Sequence, residues 1–263
     1  MSRGLVFDSG VGGLSVTAAI RARLPELQLD YIADDAFRPY GDKTAEQLQT
    51  RLPELLWVLA DMLESDFIIL ACNTASTTAL PAIRKVSKIP VIGVVPAIKP
   101  AAKASLSRHI GVLGTPGTVR RSYVERLIND YASDCRVALK GSTALVAEAE
   151  SKLAGYGVNM DVLKTELSSF VGQTPQIDQI VLACTHFPLL RKELSTVVGR
   201  DVNWVDSGAA IARRVEDVMK ETSLSVQSRK GQQLAFTTGA DIGPRRQSIF
   251  RDYGFKRLIS LSY

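Results

Sequence analysis

What this sequence lacks narrows its function before any motif is read. No run of about 18 apolar residues occurs, and "MSRGLVFDSG" has no charged segment leading into an apolar run and cleavage site. Neither a membrane span nor an export signal is predicted, and a cytoplasmic location is expected. Cysteine is scarce and odd in number: the three thiols in 263 residues, Cys72, Cys135 and Cys184, make no disulfide framework and stay reduced in such a compartment. The glycines of "GVGGLS" (10–15) lack the G-x-G-x-x-G spacing of a dinucleotide site and read as a tight loop beside Asp8 and Ser9. Basic clusters are short: Arg120–Arg121, Arg213–Arg214 and Arg245–Arg246. Despite a net charge of +5, they read as solvated helix faces rather than a phosphate-binding track. The charge suits anionic small molecules.

What is present is a repeated strand-then-helix order with Gly, Pro, Ser or Thr at the joints. "RGLVFDSG" leads to a helix over about 14–24. "LQLDYIAD" leads through "DDAFRPYGDKT" to a long helical stretch ending near Glu64, which Pro53 is expected to kink or divide. "DFIILACNT" precedes a helix after Ser76, "IPVIGVV" one after Pro96, and "HIGVLGT" one after Gly117. "CRVALKG" precedes the helical "TALVAEAESKLAG" and "NMDVLKTELSSFVG", and "IDQIVLACTH", "NWVDSG" and "QQLAFTTG" each precede another helix. The pattern predicts an α/β protein with doubly wound parallel sheets. Its expected halves are residues 1–95 plus 206–263, and residues 96–205.

Ligands of such sheets bind beyond the carboxyl ends of the strands, where the unusual residues collect: Asp8-Ser9-Gly10, Cys72-Asn73-Thr74, Cys184-Thr185-His186 and Asp206-Ser207-Gly208. Two cysteines in matching turns suggest inversion of an amino-acid α-carbon, one base removing the proton from one face while a conjugate acid delivers another to the opposite face. The ordinary thiol pKa near 8.5 makes both forms accessible. Helix N-termini after both turns are expected to favour thiolate and to offer N–H donors to a substrate carboxylate. Asp8 and His186 are placed to assist their thiols. Cys135 reads as a core thiol inside a strand, and His109 as structural or exposed. A zinc site of Cys72, Cys184, His186 and an acid ranks lower, because no Cys/His pair has the common two-to-four-residue ligand spacing. A Cys–His hydrolase also ranks lower: Cys184 and His186 share one turn, and Cys72 is left unexplained.

The motifs "VFDSGVGGLSV", "PYGDKT", "ACNTAST", "VPAIKPAA", "GTPGTVRRSY", "ACTHFPLL" and "VDSGAAIARR" run in order along most of the chain and resemble the glutamate racemase family. "GSTALVAEAESKLAG" resembles its proteobacterial branch. The resemblance implies two pseudo-symmetric α/β domains with the active site between them, and cofactor-independent interconversion of L- and D-glutamate that supplies peptidoglycan. It implies Cys72 as the base acting on D-glutamate and Cys184 as the base acting on L-glutamate. Asp8, His186, Asp34 and Glu150 are implied as further catalytic groups. Ser9, Tyr40, Gly41, Asn73, Thr74 and Thr185 are implied beside Asp8 and His186 as substrate contacts, with Thr115 and Thr118 as secondary ones. No metal or cofactor is implied. Implied partners are a second copy of the chain and, as in proteobacterial relatives, the activator UDP-N-acetylmuramoyl-L-alanine. Two departures from the family pattern stand out: Phe37-Arg38 before the PYG turn, and an N-terminus without the extension of some relatives. An aspartate or related racemase is the alternative enzyme. A nucleic-acid- or gyrase-binding protein is the non-catalytic one.

Overall fold

The computed structural model describes residues 2–199, 202–224 and 232–261. The chain opens with β1 (Arg3–Asp8), α1 (Leu14–Arg23), β2 (Gln28–Ala33), α2 (Ala45–Met62), β3 (Phe67–Leu70), α3 (Asn73–Val86) and β4 (Val91–Gly93). It continues with α4 (Ile98–Ala104), β5 (His109–Gly114), the short α5 (Pro116–Val119), α6 (Ser122–Tyr131), β6 (Arg136–Gly141), α7 (Ala144–Leu153), α8 (Met160–Leu167), β7 (Gln179–Ala183), α9 (Arg191–Val198) and β8 (Asn203–Val205). It ends with α10 (Gly208–Glu221), β9 (Ala235–Thr237), α11 (Pro244–Asp252) and β10 (Leu258–Ser260). Two compact units result: Met1–Val94 with Gly208–Tyr263, and Val95–Ser207.

The first unit holds a six-stranded sheet in the order β10-β9-β2-β1-β3-β4, parallel throughout. Its strands are buried along nearly their whole length, as a parallel sheet covered on both faces requires. Leu5, Phe7, Ile68 and Leu70 pack with Leu48, Leu52, Leu55, Leu56 and Leu59 of α2 and with Ile83 of α3. Tyr31, on the alternate face, meets the rings of Phe250 and Phe255 edge-on at 5.4 and 5.8 Å. Thr44 and Gln47 close a reciprocal capping box at the start of α2.

Several sequence expectations are corrected here. Of the kink or division expected at Pro53, the division does not occur, and α2 runs through it unbroken, since the leucine face buried on either side outweighs one lost backbone bond. α3 begins at Asn73 rather than after Ser76. Arg120 and Arg121 lie at the junction of α5 and α6 rather than on a helix face. Arg246 is mostly buried and paired with Asp35 rather than solvated.

The second unit holds a four-stranded sheet in the order β6-β5-β7-β8, also parallel. Period-two alternation sorts β7 between two cores. Ile180 and Leu182 face Leu145, Leu163 and Leu194, while Val181 and Ala183 face Ile98, Ala101 and Val124. This is the doubly wound arrangement the pattern predicted. A Cβ added at Gly141 would sit 2.7 Å from Pro116 Cα, so β6 needs glycine where the loop bearing Thr115 crosses it. Cys135 is not inside a strand but in the bend before β6, half-buried, with Sγ 3.8 Å from Asp134 Oδ1. Burial pushes its thiol pKa up. His109 is buried, and its Nδ1 donates to the Pro175 carbonyl at 2.6 Å. Because Leu70 is fully buried in the core of the first unit, Leu70→Ala is expected to cost about 2–5 kcal/mol by urea denaturation. A loss well below 1 kcal/mol would contradict this packing.

Candidate active site

Each sheet carries one of the paired cysteines just past the carboxyl end of an interior strand. In the first unit Cys72 follows β3 and is the N-cap residue of the 14-residue α3, with extended backbone. Its carbonyl accepts from Ser76 N at 2.9 Å. Asn73 and Thr74 therefore lie in the first helical turn, where the helix dipole favours an anion and a thiolate. Ser9 Oγ is 3.7 Å from Cys72 Sγ. Asp8, the buried last residue of β1, accepts from Gly13 N at 2.8 Å through Oδ2. A Cβ at Gly13 would come within 2.9 Å of Asp8 Cβ and 3.1 Å of Ala71 Cβ. The glycine loop is thus folded tightly around Asp8, as its sequence implies. Tyr31 Oη completes this loop by donating to the Gly10 carbonyl at 2.8 Å.

Asp34 follows β2, and its N–H donates to the Asp8 carbonyl at 2.9 Å. Its carboxylate is fully engaged. Arg51 grips it with two N–H groups, at 2.8 and 2.7 Å. Tyr40 Oη donates to it at 2.6 Å and Thr238 Oγ1 at 2.7 Å. Burial alone would raise the Asp34 carboxyl pKa, but these donors outweigh burial and hold it below the usual carboxylate range. Burial and then the Asp34 charge push the Tyr40 phenol well above its ordinary value. Tyr40 and Gly41 share a single 3-10 turn, Tyr40–Asp42.

In the second unit Cys184, Thr185 and His186 follow β7, all buried. What comes next is a four-residue 3-10 turn, Phe187–Leu190, with α9 starting only at Arg191. The helix N-terminus expected after this turn is therefore not that of an α-helix but of this short 3-10 turn. A different device occupies its place. Cys184 Sγ lies 3.8 Å from His186 Nδ1, and His186 Nε2 lies 3.4 Å from Glu150 Oε1 on α7. With the Glu150 carboxylate on its Nε2 side, the ring turns Nδ1 toward the thiol. The single turn shared by Cys184 and His186 thus brings thiol and ring together after all. Lys152, also on α7, donates to the Leu189 carbonyl at 2.7 Å and pairs with Glu193 on α9, holding the turn in place. Thr115 Oγ1 caps α5 and lies 3.0 Å from Thr118 Oγ1.

The second DSG run does not repeat the first. Asp206 pairs with Arg191, and Ser207 Oγ donates to the Val95 carbonyl at 2.5 Å. Sequence reasoning missed Arg51, Thr238, Tyr31 and Lys152. Each acts through a partner remote in sequence, and none carries a local signal. Among the described residues, no three His, Cys, Asp or Glu side chains are grouped to hold a metal ion, and no helix is long and apolar enough to cross a membrane.

Comparison with known proteins adds an independent line. Residues 12–215 match the family model described as Asp/Glu/hydantoin racemase. A glutamate racemase of Shewanella sp. (strain MR-4) is 46% identical over 259 residues, covering 97% of this chain and 94% of that protein. A crystal structure of Escherichia coli glutamate racemase, in complex with L-glutamate and the activator UDP-MurNAc-Ala, superposes with a TM-score of 0.93 at 40% identity, covering 99% of this chain and 98% of that one. The glutamate racemase of Aquifex pyrophilus superposes with a TM-score of 0.75 at 31% identity, covering 98% of both chains.

The Cys184–His186–Glu150 chain makes a chemical prediction of its own. In protein with Cys72 and Cys135 replaced by alanine, Glu150→Gln removes the charge that steadies a protonated His186 beside a thiolate. Alkylation of Cys184 by iodoacetamide at pH 7 should slow by about three- to tenfold. An unchanged rate would mean that Glu150 does not act on this thiol.

Proposed function

This chain belongs to the Asp/Glu/hydantoin racemase family, and we propose that it interconverts L- and D-glutamate by a two-base reaction in which Cys72 and Cys184 serve opposite faces of the α-carbon. One observation carries the reading: two buried cysteines, each just past an interior strand of its own parallel sheet, each with its own means of handling a proton.

In the L-to-D direction the Cys184 thiolate takes the α-proton of L-glutamate. The electron pair left on Cα spreads into the adjoining carboxylate, and Cys72 delivers its thiol proton to the opposite face. The cycle leaves Cys184 as thiol and Cys72 as thiolate, so exchange with solvent protons resets the pair. D-glutamate runs the same steps with the roles exchanged. Nδ1 of His186 accepts the proton that makes Cys184 a base, and Glu150 steadies the resulting imidazolium. Asp8, held by Gly13 N beside the Cys72 turn, serves the other thiol. Asn73 and Thr74, in the first turn of α3, meet the substrate carboxylate, and the helix dipole there offsets charge as it develops. Ser9, Thr185, Tyr40-Gly41 and the Thr115–Thr118 pair complete the contacts. Asp34 acts by holding Tyr40 rather than by exchanging protons, since every oxygen it offers is already in use.

No metal or cofactor enters this chemistry. The reading extends to cell-wall supply: D-glutamate goes into peptidoglycan, which places the protein in the cytoplasm. The activator bound in the E. coli relative makes UDP-N-acetylmuramoyl-L-alanine the first regulator to assay here, and a homodimer the first assembly to look for.

Substitution tests the assignment. Cys72→Ala and Cys184→Ala should each lower turnover of both glutamate enantiomers by at least about 10²–10⁴-fold, the range of a lost general acid or base. Cys135→Ala should leave turnover within about twofold of the parent, since that thiol lies outside both clusters. Near-normal turnover by either of the first two variants would overturn the two-thiol reaction.

A further inference from the structure

Phe37, which departs from the family pattern on the sequence alone, joins the Asp34–Tyr40 contact to a guanidinium that the reaction described above does not use. The loop from Asp34 to Lys43 has no regular structure beyond two short 3-10 turns, Asp35–Phe37 and Tyr40–Asp42. It nevertheless carries Tyr40 and Gly41 with Tyr40 almost fully buried. Such a loop needs an external template, and one side chain of α2 supplies it. Arg51 presents its fork edge-on to Asp34, with Nε to Oδ2 at 2.8 Å and Nη2 to Oδ1 at 2.7 Å. The same guanidinium lies over the ring of Phe37, 4.8 Å from its centroid, and Lys43 Nζ lies 4.8 Å from that centroid as well. Phe37 in turn meets Tyr40 edge-on, with centroids 6.2 Å apart and planes at 72°. Tyr40 Oη closes the circuit on Asp34 Oδ2 at 2.6 Å.

Tyr40 is thus located twice, through its hydroxyl by way of Asp34 and through its ring by way of Phe37, and both routes end on one guanidinium. We infer that Arg51 is a positioning residue for the glutamate reaction, setting the Tyr40-Gly41 turn against the substrate through Asp34 and Phe37 without touching the substrate itself. The chemistry is particular to arginine. A planar fork can grip a carboxylate with two parallel bonds and stack on an aromatic face at the same time, whereas an ammonium keeps the charge and loses both geometries. Thr238, which donates to Asp34 Oδ1 at 2.7 Å and accepts from Ala36 N at 3.0 Å, anchors the start of the loop to the segment after β9. It leaves Phe37 and Tyr40 to Arg51.

The inference rests on the proposed glutamate reaction, and its test separates the two. Arg51→Lys is compared with the parent protein for KM and kcat on both enantiomers, and for the ring Cζ resonance of Tyr40 in tyrosine-labelled protein, assigned by its loss in Tyr40→Phe. A positioning role predicts that Arg51→Lys folds, raises KM for both enantiomers by about tenfold, changes kcat by less than about threefold, and moves the Tyr40 resonance. Adding Tyr40→Phe to Arg51→Lys should raise KM little further, because the two substitutions break one circuit. Kinetic constants within about twofold of the parent, or an unmoved Tyr40 resonance, would overturn the assignment. If Arg51→Lys does not fold, Arg51→Gln is measured in the same way, and failure of both to fold would also overturn it by making Arg51 a residue of the fold alone. If the parent protein does not turn over glutamate, the proposed reaction fails, and the Tyr40 resonance alone decides whether Arg51 sets the turn.

Discussion

Burying a thiol penalises its ionised form, yet a two-base reaction at carbon needs that form available at each cysteine in turn. Cys72 and Cys184 are only 5% and 6% exposed, and the proposed reaction asks for a group beside each that can favour charge or take a proton. The two answers differ. Cys72 stands at the N-cap of a long helix, where the helix dipole favours negative charge. Cys184 is followed by only a short 3-10 turn and instead faces the ring of His186, with Glu150 of α7 on the ring's other side. In the proposed reaction one need is met by backbone electrostatics in the first unit and by a side-chain relay in the second.

The surroundings of the first cysteine turn show a second regularity. Three carboxylates on or just after β2 are each held by an arginine from elsewhere in the same unit: Asp30 by Arg3, Asp34 by Arg51 and Asp35 by Arg246. A buried carboxylate left alone would be strongly unfavourable. Pairing each one fixes a neighbouring segment in return. Leu234 N donates to Asp30 at 2.9 Å, Tyr40 is held through Asp34, and Thr237 Oγ1 donates to Asp35 at 2.7 Å. The carboxylates serve as anchors that tie irregular segments to the sheet.

Much of this was legible in the sequence because it depends on local pattern. The apolar runs ending in DSG, ACNT and ACTH locate β1, β3 and β7 and put their polar residues at the carboxyl ends of parallel strands. The order of strands and helices shows the α/β class without further help. The corrections arise where distant contacts outweigh local preference. Pro53 reads as a break until the leucine face of α2 is seen packed on the sheet. Asn73 and Thr74 resemble turn residues, yet they are helical because Cys72 takes the cap. Cys135 shares its strand-like setting with core residues but falls in the bend before β6. Arg51 is hidden for a related reason: its partners lie 14 and 17 residues away in an irregular loop, and no periodicity reaches across that gap.

The proposed reaction turns on two thiols serving opposite faces of one carbon, and the fate of the α-proton tests that most directly. With L-glutamate in heavy water, D-glutamate formed at the initial rate should be almost wholly deuterated at Cα while recovered L-glutamate remains protiated. D-glutamate as substrate should give the mirror result, because the cysteines exchange roles. Early product that keeps most of its original proton in either direction would mean that one group carries the proton across, and would contradict the assignment of Cys72 and Cys184 to opposite faces.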